Sequence, residues 1–130
     1  MDPGVLKSIP LFASLSDGER EHVARLADEV DVPAGKHLIE EGEIGWEFFV
    51  LESGAAEVRI GDEVVATLGA GDFFGEVALR EEEHRRTASV ATTEEATLIV
   101  MTGQAFRTIE ADMPQVAERI QEAVAGYRSA

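Results

Sequence analysis

From Glu29 onward the chain is cut into short runs rich in Val, Ile and Phe by Gly35, Gly42, Gly45, Gly54, Gly61, Gly69 and Gly71. Runs this short, bounded by residues that turn freely, are the pattern of antiparallel strands closing into a barrel or jelly roll. Gly61-Asp62, between Val58-Arg59-Ile60 and Val64-Val65, reads as a hairpin turn. The flanks are helical. Ser16-Asp17-Gly18-Glu19 is a capping-box signature, and Val23, Leu26, Ala27 and Val30 recur at helical spacing, which predicts a helix from about Asp17 to about Ala27. Near the other end Phe106 and Ile109 form a short apolar face, and Asp112 is expected to cap a stripe of Val116, Ile120, Val124 and Tyr127. The fold class is therefore α+β, mainly β: an antiparallel β-roll, or jelly-roll-like double-stranded barrel, with an N-terminal helix and C-terminal helices. It reads as one domain over 1–130, with a helical cap to about residue 28, the roll over about 29–102 and helices over about 103–130.

At 130 residues the chain can bury a core but has no room for a second module. Its 45% hydrophobic content fits an ordered domain. Eleven basic against 26 acidic residues give a net charge of −15, which argues against a nucleic-acid partner and against insertion into anionic membranes. There is no cysteine, hence no disulfide framework and no thiolate chemistry. With neither a secretory leader nor an apolar spanning run at hand, a cytoplasmic location is expected.

One segment interrupts the strand pattern. Phe74-Gly75-Glu76-Val77-Ala78-Leu79 is followed, after a charged loop, by Arg86-Thr87-Ala88. An arginine offers a fixed fork of donors to a phosphodiester anion, and the Thr87 hydroxyl adds a donor beside it. Gly75 allows backbone to come where a Cβ would obstruct. Glu76, expected to be buried, accepts hydrogen bonds when ionised and so suits a sugar hydroxyl rather than a phosphate. A short helix after Ala78 would aim its first backbone donors at the anion. Taken separately, each residue also has a plain structural reading: Arg86 as part of a solvated charged run, Glu76 as a helix cap, Thr87 as an ordinary strand residue.

The ordered set Gly75, Glu76, Val77, Ala78, Leu79, Arg86, Thr87 and Ala88 resembles the phosphate-binding cassette of the cyclic nucleotide-binding domain family, the sensor module of the catabolite activator protein and of cyclic-nucleotide-dependent kinases. Pro33-Ala34-Gly35, Glu41-Gly42-Glu43-Ile44-Gly45, Phe48-Phe49-Val50-Leu51 and Ser53-Gly54 are similar in order and spacing upstream. The resemblance implies a two-capped β-roll that binds cAMP or cGMP and no cofactor; Thr87 permits cGMP without excluding cAMP, and cAMP is the expected ligand from the bacterial look of the chain. It implies that Arg86, Thr87 and the Ala78 amide hold the phosphate, that Glu76 holds the ribose 2′-hydroxyl, and that Val65, Leu68 and Phe74 line the base pocket. The last three read equally well as barrel core. Tyr127 is a candidate lid. Binding is expected to repack Leu79 against Phe106, Ile109 and Ile120, signalling to an unidentified effector protein or domain.

The chain departs from the family at Trp46, where an acidic residue is frequent, and at Glu82, Glu83 and His84, where Gly or Pro is frequent. Trp46 is expected to fill a core or edge position. The acidic loop makes a ligand-free protein-interaction module the alternative function, and the C-terminal stripe could serve as a homodimer seam. An enzyme on a similar roll, such as a cupin, needs a His-x-His metal set. His22, His37 and His84 are far apart, so no catalytic or metal-binding residue is assigned.

Overall fold

The computed structural model describes residues 1–79 and 85–126. Helices α1 (Pro3–Leu6), α2 (Pro10–Ala13) and α3 (Asp17–Leu26) open the chain. Strands β1 (Asp28–Val32), β2 (His37–Ile39), β3 (Glu47–Ser53), β4 (Ala56–Ile60), β5 (Glu63–Leu68) and β6 (Phe73–Phe74) follow, then a 3₁₀ turn over Glu76–Leu79. After β7 (Ser89–Thr92) and β8 (Ala96–Thr102) the chain ends in α4 (Gly103–Asp112) and α5 (Pro114–Gly126). The strands form two antiparallel four-stranded sheets, ordered β1-β8-β3-β6 and β2-β7-β4-β5. This is the antiparallel roll with helical caps that the glycine punctuation predicts. Among the described residues no helix is long and apolar enough to cross a membrane.

The local signals act as their chemistry requires. The Ser16 hydroxyl accepts from the Glu19 amide at 3.1 Å and the Glu19 carboxylate accepts from the Ser16 amide at 2.8 Å, so α3 starts on a complete capping box. Gly61-Asp62 joins β4 to β5, with Ile60 opposite Glu63. The run Phe48-Phe49-Val50-Leu51 is buried throughout because β3 is covered on both faces. Alternation sends Phe48 and Val50 to a cluster shared with the helices and Phe49 and Leu51 to the cluster between the sheets. In the first cluster Ile99 and Met101 of β8 meet Phe12, Val23, Phe106 and Ile120. In the second, Phe49 stacks on Phe74 with centroids 5.1 Å apart.

One expectation is corrected at the C-terminal cap. Asp112 does not cap the last helix: it ends α4, and its carboxylate lies 3.0 Å from His22 Nε2 on α3. Pro114 begins α5 instead, suited to a first helical turn by its fixed φ and missing N–H. Of the stripe, Val116 and Ile120 are fully buried in the domain's own core, so they are not available to a dimer seam. Val124 lies on α5, and Tyr127 is outside the described residues.

An acidic contact crosses the first sheet. Glu52, where the β3–β8 register shifts, meets Glu29 of β1, with Asp31 nearby, and its Oε2 is buried with no hydrogen-bond partner among the described residues. Two facing carboxylates are both acceptors until one carries a proton. The hydrogen bond with Glu29 first, then burial and the charges of Glu29 and Asp31, raise the Glu52 pKa from 4.5 to about 7. The folded state therefore holds a proton that the unfolded chain has lost, and the stabilisation, complete below pH 4.5, disappears as pH rises through about 7. Unfolding free energy is expected to fall by on the order of 1–2 kcal/mol between pH 5 and pH 8, after allowance for solvent screening. Denaturant titrations at these two pH values check it, and Glu52→Gln is expected to flatten the difference.

Candidate functional site

The cassette lies between β6 and β7, against the loop that leads into β3. Arg86 is its centre. The residue is 8% exposed, and its guanidinium turns inward: Nη1 donates to the Gly75 carbonyl at 3.1 Å and Nη2 to the Glu47 carbonyl at 2.6 Å. Its backbone is clamped too, the amide donating to Glu43 O at 2.6 Å and the carbonyl accepting from Gly42 N at 2.9 Å. Burial pulls its pKa down, while the carboxylates of Glu47 and Glu76 push it up. An arginine stays charged under such pressure, so the site holds a desolvated cation whose guanidinium donates, among the described residues, to neutral carbonyls. A guanidinium has more donors than these two acceptors use.

Gly75 makes this arrangement possible. Its φ is +80°, and a Cβ there would stand 2.9 Å from Glu47 O, 3.0 Å from Arg86 Nη1 and 3.2 Å from Ile39 Cδ1. The glycine thus admits the guanidinium as well as leaving backbone accessible.

The remaining expected residues are placed as follows. Glu76 opens the 3₁₀ turn and is exposed, not buried as expected: the turn projects it to solvent, where a sugar hydroxyl could reach it and where its charge still acts on Arg86. Val77 lies on the same turn. The Ala78 amide does not stand open; it donates to Gly75 O at 3.1 Å, the same oxygen that accepts from Arg86. Thr87 is exposed and Ala88 half-buried, and both precede β7, which starts only at Ser89. The short helix expected after Ala78 falls in part on Arg80 to His84, which, with Glu82 and Glu83, lie outside the described residues; the observed turn comes earlier, at Glu76–Leu79.

Of the three base-pocket candidates, Leu68 and Phe74 share one cluster and Val65 stands outside it. Leu68 pairs with Ala56 and packs on the inner cluster, and Phe74 is buried within it. Val65 is 49% exposed and drops out of the ladder, because the register passes from Val58↔Ala66 to Arg59↔Val64. Val65 stands three residues from Leu68 on one strand, so alternation alone sends the two side chains to opposite faces. Trp46, expected in a core or edge position, is 61% exposed; what the fold uses there is its carbonyl, which accepts from Gly103 N at 3.1 Å.

Sequence reasoning missed three participants. Glu47 and Glu43 hold Arg86 through backbone oxygens, which any residue carries, and the Glu47 carboxylate adds its charge. Gly103 approaches the cassette from α4; its one signal is a glycine at the first position of a helix, where nothing local calls for one.

The chain is thus a β-roll between helical caps, with a glycine turn and a buried arginine inserted between two strands. The profile of the cyclic nucleotide-binding domain family matches residues 29–112, and the chain belongs to that family. It is 40% identical over 91 residues to the cAMP-dependent protein kinase regulatory subunit of Emericella nidulans, an alignment covering 68% of this chain and 22% of that protein. The chain thus spans about a fifth of that relative's length. The co-crystal structure of the regulatory domain of Toxoplasma gondii PKA with cAMP is 29% identical with a TM-score of 0.69, covering 82% of this chain and 42% of that one. A structure from Geobacter metallireducens, 21% identical, has a TM-score of 0.85 over 97% of this chain and 94% of its own, a likeness of fold.

Proposed function

We propose that this domain binds a cyclic nucleotide, cAMP in preference to cGMP, through Gly75 to Ala88 and signals to an effector protein by repacking its C-terminal helices. The buried Arg86 cation carries the reading: a desolvated guanidinium bonded to neutral carbonyls gains most from an anion small enough to reach it. Its remaining donors and the Thr87 hydroxyl would take the phosphate, and exposed Glu76 would accept from the ribose hydroxyl. The Ala78 amide would join only by leaving Gly75 O, so capture of the phosphate draws on the turn itself. The preference for cAMP follows the relatives named for it. Leu79 is buried in one cluster with Phe106, Ile109, Val116 and Ile120, which supports transmission from the turn to α4 and α5. The domain acts as a binder and not as a catalyst.

Thermal unfolding of the nucleotide-stripped protein tests the assignment. A ligand at a hundred times its Kd adds about 2.7 kcal/mol, enough to raise Tm by roughly 5–15 °C. The rise is expected with cAMP, smaller with cGMP and absent with 5′-AMP. No rise with either cyclic nucleotide would leave the ligand-free interaction module as the function.

A further inference from the structure

Gly103 is the first residue of α4, and its φ is not positive, so the helix does not need a glycine there. The reason lies across the interface. A Cβ on Gly103 would stand 2.3 Å from the carbonyl oxygen of Ala78, where ordinary contact is 3.4–4 Å. That obstacle is backbone and cannot swing aside as a side-chain tip would. The Gly103 amide, one of the donors a helix start leaves over, is bound by Trp46 O at 3.1 Å. Trp46 adjoins Glu47, whose carbonyl holds Arg86. These contacts close a ring: Arg86 to Gly75 O, Gly75 O to the Ala78 amide, Ala78 O to Gly103, Gly103 N to Trp46 O, and Glu47 O back to Arg86.

We propose that Gly103 is a positioning residue that sets where the cassette's phosphate donors stand and passes their displacement to α4. The proposal rests on the nucleotide-binding reading above. Because Ala78 O and Gly103 are in contact as backbone on backbone, the turn cannot move toward α4 without moving it, and a ligand that draws the Ala78 amide off Gly75 O pulls on the same residue whose carbonyl, in the next peptide unit, abuts Gly103. Direct abutment carries the motion where flexible side chains would absorb it.

The test compares Gly103→Ala with Gly18→Ala, a glycine in the first turn of α3 whose added Cβ meets nothing within 4 Å. Affinity for cAMP is read by calorimetry, and the response of α4 by the ligand-induced change in fluorescence of Trp46, the chain's single tryptophan. Gly103→Ala is expected to weaken binding about tenfold or more, as a misplacement of roughly 1 Å can, and to remove most of the Trp46 response. Gly18→Ala is expected to change neither. Affinity and response at the unsubstituted level in Gly103→Ala would overturn the positioning role alone, whereas no cAMP binding by the unsubstituted chain would overturn both it and the functional reading. Should Gly103→Ala fail to fold, amide hydrogen exchange on the unsubstituted protein decides: protection of the Ala78 and Gly103 amides is expected to change together when cAMP is added, and a change at Ala78 alone would overturn the proposal.

Discussion

Arg86→Ala is expected to weaken cAMP binding by about 2–5 kcal/mol, roughly thirtyfold to several thousandfold, because it removes the charged partner of a desolvated anion. The loss has two parts. The guanidinium's direct bonds to the phosphate go, and the Gly75 and Glu47 carbonyls lose the donor that holds the turn to β3. The Gly75 carbonyl keeps the Ala78 amide as a donor, so the cost to the fold falls mainly on the Glu47 carbonyl, about 1–3 kcal/mol where water does not replace the arginine. Arg86→Lys separates the parts: it keeps a cation but cannot span both carbonyls and an anion with a planar fork, so binding should fall between the parent and the alanine variant. Calorimetry gives the affinities and denaturant titration the fold stability. An alanine variant with full affinity and reduced stability would make Arg86 a purely structural residue.

Gly54→Ala is expected to be the most damaging small substitution in the chain. Gly54 lies between β3 and β4 at φ +94°, and an added Cβ would fall 2.5 Å from Glu95 O, 2.6 Å from Ala96 Cα and 2.7 Å from Ala96 Cβ. Dihedral strain and overpacking then add, for about 3–5 kcal/mol, a large part of a domain's whole stability. Gly61→Ala is the matched control, with φ at +62° and nothing within 4 Å of its Cβ. It should lose only the dihedral part, about 1 kcal/mol. Thermal unfolding of both variants checks the pair: a Gly54→Ala midpoint roughly 10–20 °C below the parent is expected, against a few degrees for Gly61→Ala.

The contrast between these glycines marks where sequence reading reached and where it stopped. Gly61-Asp62 is a local signal, and the hairpin forms where its neighbours place it. Ser16 and Glu19 cap α3 because both partners lie within one turn. Arg86 was legible through its spacing from Gly75 and Glu76, a motif carried within one stretch of chain. Long-range geometry was not. Nothing near Trp46 says that its carbonyl will be bound from α4 and its side chain left exposed, whereas the three-residue spacing of Val65 and Leu68 on β5 already put them on opposite faces. Asp112 looked like a helix cap because it precedes a helix; Pro114 supplied the start instead, and the carboxylate went to His22. The contact of Gly103 with Ala78 joins positions 25 residues apart, and only the packing of α4 on the turn reveals it.

The central claim is that the cassette binds a cyclic nucleotide through Arg86, and isothermal titration of nucleotide-stripped protein with cAMP, run in parallel on Arg86→Ala, tests it most directly. Saturable one-site binding in the parent that is lost or weakened at least thirtyfold in the variant is the predicted result. Equal affinity in the two proteins, or no heat in either, would contradict it.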